Sequence, residues 1–541
     1  MAKPKHLPCI FLILINIYLS SSFIARVSAA AAATDDNAVY TSLIQCLEKN
    51  TTPQDKIADI VFSKTNSNYT SVLRAYIRNA RMNTTETPKP VVIITPKQIK
   101  HVQAAVICTK QVGFLLKIRS GGHDYEGISY TSAKPFFVLD MNNLRSVEVD
   151  VPAQSAWVQV GATLGEVYHG IWEKSKVHGY PAGVCPTVGV GGHISGGGYG
   201  AMIRKYGLAV DNLIDAQIVD VNGKLMNRKE MGEDLFWAIS GGGGASFGVV
   251  IAYQIKLVPV PPTVTFFRVE KTIEENATDL VVQWQTIAPK MDPNLFMRML
   301  VQPSKPKDKL TIKITIMSLY LGTPDTLMPL VAKDFPGLGL KKEDCLTGSW
   351  IQAALWWANY DNYTTTSPDV LLDRKPDKAH FQKRKSDYVQ VPINKQGLET
   401  IWKTMLELGE VGLVFNAYGG KMDEIDPTAT PYPHRKGNLY KIQYSVNWDE
   451  PGKEETEKCL EQARKLHKVM TPYVSKNPRG AFWNYRDLDL GINSWGPNSF
   501  QEASAYGHMY FGQNFQRLVK IKTAVDPDNF FKTEQSIPPS K

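Results

Sequence analysis

The side chains best equipped for covalent chemistry in this chain sit in two glycine-rich segments. They are Arg119-Ser-Gly-Gly-His-Asp-Tyr-Glu-Gly127 and Gly183-Val-Cys-Pro-Thr-Val-Gly-Val-Gly-Gly-His-Ile-Ser-Gly-Gly-Gly-Tyr-Gly200. A glycine loop lets backbone N–H groups close in on a pyrophosphate, and imidazole and thiolate are the side chains that bond most readily to an electrophilic ring. Either segment alone reads as turn chemistry beside a structural side chain. Together, His123 and Cys185 read as paired anchors for one flat, covalently held dinucleotide. Ser120, Gly121, Gly122, Asp124, Gly191, Gly192 and Gly197 would form its cradle.

Other glycine motifs do not fit. No Gly-x-Gly-x-x-Gly opens a helix after a strand with an acidic residue some twenty positions on, and no Gly-Lys-Ser/Thr follows a glycine run, so Rossmann and P-loop readings fail. Zinc spacings are missing around His123, His178 and His193, and no metal is expected. Gly244-Ala-Ser-Phe-Gly248 copies the hydrolase string, but a strand pattern follows where a nucleophile elbow needs a helix, leaving Ser246 a loop residue. A second constellation is quieter. Lys441 and Gln443, two apart on an expected strand, share a face. A tyrosine beside such a lysine could be drawn toward phenolate and serve as a base, although spacing alone favours a solvated strand face.

The two loops resemble, nearly residue for residue, those of the plant berberine bridge enzyme-like oxidases, a branch of the vanillyl-alcohol oxidase flavoprotein superfamily, and the likeness runs from about Cys46 to Pro538. The resemblance implies FAD held twice, through 8α by His123 and through C6 by Cys185, with Asn514 among the cofactor contacts. It also implies a Cys46–Cys108 disulfide. Tyr125, Tyr199, Lys441, Gln443 and Tyr485 match the active-site residues of the subgroup that oxidises primary alcohols. A tyrosine base follows, Tyr485 or Tyr125, with Lys441 stabilising its phenolate and Tyr199 shaping the pocket. Gln443 stands where the alkaloid-cyclising members carry a glutamate base, and an amide cannot take that proton. Phe482 replaces a tyrosine common at its position. Val188 matches the position thought to gate oxygen, which points to O2 as acceptor and H2O2 as product.

The expected fold class is α+β: a bipartite FAD-binding domain of the vanillyl-alcohol oxidase (PCMH) type plus an α/β substrate domain with an antiparallel sheet. Strands are expected at 91–94, 114–118, 136–139, 157–160, 216–221 and 249–257. A helix should start at Thr95-Pro96, with Thr95 as N-cap, and stop at Gly113; further helices fit 164–175 and 233–239, and Asn222-Gly223 reads as a hairpin turn. The proline cluster at 259–262 closes the FAD-binding part, 31–262 with its PCMH core from about 87. A substrate-binding part then spans 263–475, and residues 476–541 return to the FAD domain.

At 541 residues the chain is too long for one ordinary core. Lys3 and Lys5, an apolar stretch to Ile24 and an alanine-rich run read as a signal peptide over residues 1–30 rather than a stable membrane anchor. Behind it, the sequons at Asn50, Asn68, Asn83, Asn276 and Asn362 become glycosylation sites. The secretory pathway is the expected route, with cell wall or exterior the favoured destination and vacuole an alternative. The net charge of +9 is spread out; it excludes no wall polysaccharide contact and supports no nucleic-acid motif. The expected function is oxidation of a monolignol-like allylic alcohol or a carbohydrate by hydride transfer to FAD. The alternatives are oxidative cyclisation of an alkaloid or prenylated phenol, and a non-redox protein using flavin as scaffold. Cys345 and Cys459 receive no role.

Overall fold

The computed structural model describes residues 36–375 and 379–540; the expected signal segment lies outside them. Three sheets carry the fold. The first runs in the order Val61–Ser63, Val92–Ile94, Phe136–Asp140, Leu115–Arg119, parallel except at its Val61–Ser63 edge. Val92, Ile93 and Ile94 are wholly buried, as a continuous apolar run in a covered parallel strand should be. Leu115–Arg119 delivers the chain directly into the first glycine loop.

Helix Ile99–Val112 precedes that strand and ends at Gly113 with φ 79°, a left-handed cap that glycine adopts without a Cβ penalty. Its start differs from expectation. Thr95 donates both its N–H and its hydroxyl to the Ile60 carbonyl, which prolongs sheet pairing, so the helix begins three residues later with Gln98 as N-cap. The Cys46–Cys108 disulfide ties this helix to Asp36–Lys49. Cys345 and Cys459 form no disulfide.

The second sheet is antiparallel, in the order Val147–Asp150, Ser155–Gln159, Val249–Lys256, Leu213–Val219, Leu225–Met226. Gly223, φ 77°, turns the last hairpin. The third has seven antiparallel strands in the order Leu346–Gly348, Val264–Thr272, Thr311–Tyr320, Leu295–Ser304, Val411–Ala417, Tyr440–Trp448, Phe381–Val389.

Two large cores result. One joins residues 43–260 to Ala481–Ile537, so the C-terminal segment packs back on the first two sheets; the other lies between Phe267 and Val474. Helix Trp350–Trp357, although embedded in the second region by sequence, packs into the first core. Residues alternate along Tyr440–Trp448: Ile442 and Tyr444 enter the second core, which leaves Lys441 and Gln443 on the opposite face, toward the glycine loops.

Candidate functional site

Both glycine loops close on each other. A Cβ on Gly121 would lie 2.3 Å from the Gly189 nitrogen, and one on Gly189 would lie 2.1 Å from Ser120 Oγ. Side chains there would force the loops apart. The first loop is pinned by Arg119, whose guanidinium bonds Asp140 at 2.6 Å and the Leu73 carbonyl at 2.7 Å. Ser120 Oγ donates to the Val160 carbonyl at 2.6 Å. Asp124 closes the turn by accepting from the Glu126 and Ile128 N–H groups and takes Arg486 Nε at 2.8 Å.

The second loop is held by His193, whose Nε2 accepts the Gly183 N–H at 3.1 Å. Tyr168 adds a hydroxyl bond of 2.5 Å to the Gly183 carbonyl. Accepting there requires a neutral ring, and burial holds the His193 pKa down to about 3. His193 was expected only as a structural member of its loop. Burial, with a smaller contribution from Arg78, likewise lowers His123 to about 3. Its Nε2 lies 3.0 Å from Thr187 Oγ1, which couples the histidine to the loop that carries Cys185. A neutral imidazole keeps a lone pair for bonding, and Cys185 is exposed and outside any disulfide.

These loops line a cavity of about 480 Å³ that also takes in Gly243, Gly244, Trp483 and Arg486. His123, Cys185, Ser120, Gly121, Gly122, Asp124, Gly191, Gly192 and Val188 all line it. A Cβ on Gly192 would meet open space. Two buried donors on the wall, Ser129 Oγ and Arg486 Nη1, have no hydrogen-bond partner. A backbone cradle, two orphan donors and two nucleophilic side chains on one surface fit a flat dinucleotide such as FAD. Gly197 and Asn514 lie off this wall. Gly197, φ 116°, sits near Tyr432 and Phe482, and the Asn514 amide donates to the carbonyls of Pro427, Thr430 and Pro431. Asn514 thus holds the 427–431 loop in place.

The third sheet supplies the opposite wall, with Arg298, Leu300, Met317, Val414 and Gln443. Gln443 Nε2 donates to Tyr125 Oη at 3.2 Å. The hydroxyls of Tyr199 and Tyr485 bond each other, and the Tyr125 and Tyr485 rings stand 5.9 Å apart. Lys441 Nζ is enclosed by rings, 3.3 Å from the centroid of Tyr199, 3.6 Å from Phe482 and 4.6 Å from Tyr485. It is fully buried and makes no hydrogen bond.

The five residues expected to act together do converge in space. Burial pushes Tyr485 well above 10 and Tyr125 upward, while burial and then the Arg298 charge hold Lys441 well below 10.5. The lysine meets ring faces rather than hydroxyls. Phe482 contributes to this enclosure, a role its sequence context did not suggest. Arg298 was also missed: its Nε bonds Asn416 Oδ1 at 2.9 Å and its guanidinium lies 5.1 Å from the Trp357 ring. No motif surrounds it; only strand alternation with the apolar Leu300 marks its face. Among the described residues, no group of three His, Cys, Asp or Glu is placed to hold a metal ion, and no helix is long and apolar enough to cross a membrane.

Comparison with known proteins gives these features a setting. Residues 90–228 match the family model described as "FAD binding domain", and residues 481–538 match "Berberine and berberine like". Berberine bridge enzyme-like 21 of Arabidopsis thaliana is 60% identical over 511 residues, covering 94% of this chain and 95% of that protein. Berberine bridge enzyme-like 2 of the same plant is 57% identical, covering 98% of each. Among solved structures, Phl p 4, a grass pollen allergen with glucose dehydrogenase activity, superposes with a TM-score of 0.86 at 43% identity, covering 92% of this chain and 99% of that one. The berberine bridge enzyme of Eschscholzia californica gives 0.86 at 36% identity, covering 92% and 99%.

Proposed function

The chain belongs to the berberine bridge enzyme-like family of FAD-dependent oxidoreductases, and we propose that it is a secreted, glycosylated oxidase of a primary alcohol or carbohydrate. FAD, when bound, supplies the two-electron acceptor and passes the pair to O2, giving H2O2. His123 and Cys185 would each bond it covalently, fixing it against loss outside the cell. Gly121, Gly122, Gly191 and Gly192 would give backbone access, and Ser129 and Arg486 the buried donors.

The observation that carries the reading is the Tyr199–Tyr485 hydroxyl pair beside the ring-enclosed Lys441, opposite the Gln443–Tyr125 bond. Oxidising an alcohol requires the hydroxyl proton to leave as the carbon is dehydrogenated. A neutral Lys441 beside a protonated Tyr485 contains as many protons as an ammonium beside a phenolate, so either arrangement can accept one proton. In the ammonium–phenolate arrangement the phenolic oxygen takes the alcohol's proton; in the neutral arrangement it takes that proton as it gives its own up to the amine, so both end as a neutral phenol beside an ammonium facing three rings. Leu300, Met317 and Val414 exclude water from the reacting centre.

The third-sheet wall carries Arg298, and the cavity's one carboxylate, Asp124, is paired with Arg486. That charge balance opposes a cationic amine and so disfavours alkaloid cyclisation. Carbohydrate is favoured by the glucose dehydrogenase activity of Phl p 4. A variant of that protein with valine for isoleucine and, five residues on, histidine for asparagine is described as a glucose oxidase. Val188 and His193 here show the same two residues at the same spacing, which supports O2 as acceptor. Exposure of all five sequon asparagines supports glycosylation.

The test is anaerobic mixing of the flavin-loaded protein with a panel of sugars and allylic alcohols, followed by admission of air. Bleaching of the flavin absorbance and then stoichiometric peroxide is expected from at least one alcohol. A panel that never bleaches the flavin would overturn the alcohol-oxidase reading.

A further inference from the structure

A buried ionic cluster lies outside the cavity, and the two tyrosine-bearing segments meet in it. Asp124-Tyr125-Glu126 and Tyr485-Arg486-Asp487 each carry a charged residue on both sides of, or just beyond, their tyrosine. On one flank Arg486 Nε contacts Asp124 Oδ2 directly at 2.8 Å. On the other, two carboxylates face each other through a lysine. Lys383 Nζ contacts Glu126 Oε1 and, at 2.7 Å, Asp487 Oδ1, and the three side chains are only 2–3% exposed. Lys385 Nζ then takes Asp487 Oδ2 and Asp489 Oδ2, both at 2.7 Å. The Leu488 N–H closes the same junction on Glu126 Oε1 at 3.4 Å.

Lys383 and Lys385 belong to strand Phe381–Val389, which is paired with Tyr440–Trp448 so that Ser386 faces Gln443 and Tyr388 faces Lys441. The strand that grips the tyrosine segments is thus bonded, residue for residue, to the strand that presents Lys441 and Gln443. We propose that Lys383 is a positioning residue that fixes Tyr125 and Tyr485 relative to each other and to the Lys441–Gln443 strand, through its bridge between Glu126 and Asp487. The proposal rests on the reading above, in which these tyrosines face the reacting alcohol.

The physical case is one of cost and geometry. Desolvating two ammonium groups and three carboxylates is expensive, and apolar packing of similar volume stabilises a fold at least as well. What the ionic cluster provides is direction: the Lys383 contacts to Glu126 and Asp487 are short, and those two carboxylates lie one and two residues from a tyrosine. Freed from Lys383, Glu126 would keep only the longer contacts to Arg81 Nη1 at 3.5 Å and the Leu488 N–H at 3.4 Å, against the Asn79 bond and the short Asp124–Arg486 pair on the other flank. The Tyr125 segment could then pivot about that flank. The walls made by Arg298, Leu300, Met317 and Val414 sit on other strands and would not move.

The experiment combines Lys383→Met with Glu126→Gln, which leaves Asp487 paired to Lys385 and Arg81, whose Nη1 loses its 3.5 Å contact with Glu126, still bonded to the Gln382 carbonyl. In the flavin-loaded enzyme kcat should fall about 10- to 100-fold, the penalty of a misplacement near 1 Å, while KM stays within about 3-fold. Lys383→Arg, which can still bridge two carboxylates, should recover kcat to within about 5-fold. Glu126→Gln alone, which preserves the Lys383–Asp487 pair, gives the same kcat reading should the double variant not fold. A crystal structure of the variant should show the Tyr125 and Tyr485 rings displaced from their 5.9 Å separation. Unchanged kcat, or an unchanged ring separation, overturns the proposal. If the parent enzyme oxidises no alcohol, the functional reading fails separately and the ring separation alone decides.

Discussion

Replacing Lys441 with methionine should make the protein more stable and nearly inactive, an opposition that a merely structural lysine would not produce. The amine is fully buried, with no hydrogen-bond partner and three ring faces around it. A buried polar group left unpaired costs about 1–3 kcal/mol. The rings return about 0.5–2 kcal/mol, and only while the amine is protonated. Burial, reinforced by Arg298, disfavours that protonated form. Methionine has nearly the same length, carries no such cost and packs well on aromatic faces. With the protonated form disfavoured the rings return little, so the variant should gain about 1–3 kcal/mol. The pH dependence has a definite sign. Lysine in the unfolded chain keeps its proton up to about 10.5, whereas the folded group loses it earlier, so between the two values the unfolded state binds more protons and stability rises with pH. The burial cost is complete below the folded value and fades toward 10.5. The advantage of Lys441→Met over the parent should consequently be larger at pH 6 than at pH 10. Thermal unfolding of both flavin-loaded proteins at the two pH values measures it. Turnover of the alcohol identified by screening should drop about 10²- to 10⁴-fold, the span of a lost general base. A variant that unfolds earlier than the parent while keeping its kcat would refute the reasoning, because Lys441 would then be a cation held for stability.

Tyr485→Phe should lower kcat by about 10²-fold or more while leaving substrate affinity close to the parent's, and Tyr125→Phe should cost less, since Tyr125 receives a hydrogen bond from Gln443 rather than meeting Tyr199; equal and full turnover in both would remove the tyrosines from the mechanism. Either His123→Ala or Cys185→Ala alone should leave yellow protein after acid precipitation, and the two combined should release all flavin into the supernatant. Val188→Ile adds a methylene on the cavity wall; flavin reduction under nitrogen should keep its rate while reoxidation by air slows, which stopped-flow absorbance separates, and equal slowing of both halves would contradict an oxygen-gating role.

What the sequence made legible depended on how local the physics was. Gly113, Gly223 and the buried run Val92–Ile94 are written in single residues or short patterns, because a left-handed cap, a two-residue turn and a covered strand each have a narrow residue requirement. The start of helix Ile99–Val112 was not legible. Thr95 followed by proline is a sound N-cap signal, but the Ile60 carbonyl, thirty-five residues back, takes both of its donors. Lys441 and Gln443 stood on one face by alternation alone, and only the opposite burial of Ile442 and Tyr444 decides which face that is. The protonation state of the site was the least legible part. From sequence, a lysine near a tyrosine argues for phenolate; in the fold, desolvation opposes both charges. The same reasoning explains why Lys383 escaped notice. A lysine in a run of basic residues, Lys383-Arg-Lys385, reads as a solvated face, and its partners, Glu126 and Asp487, lie more than a hundred residues away in opposite directions along the chain. Residues that bond a cofactor announce themselves because their chemistry is rare, whereas those that place the reacting side chains are ordinary residues whose meaning arises only when distant segments meet.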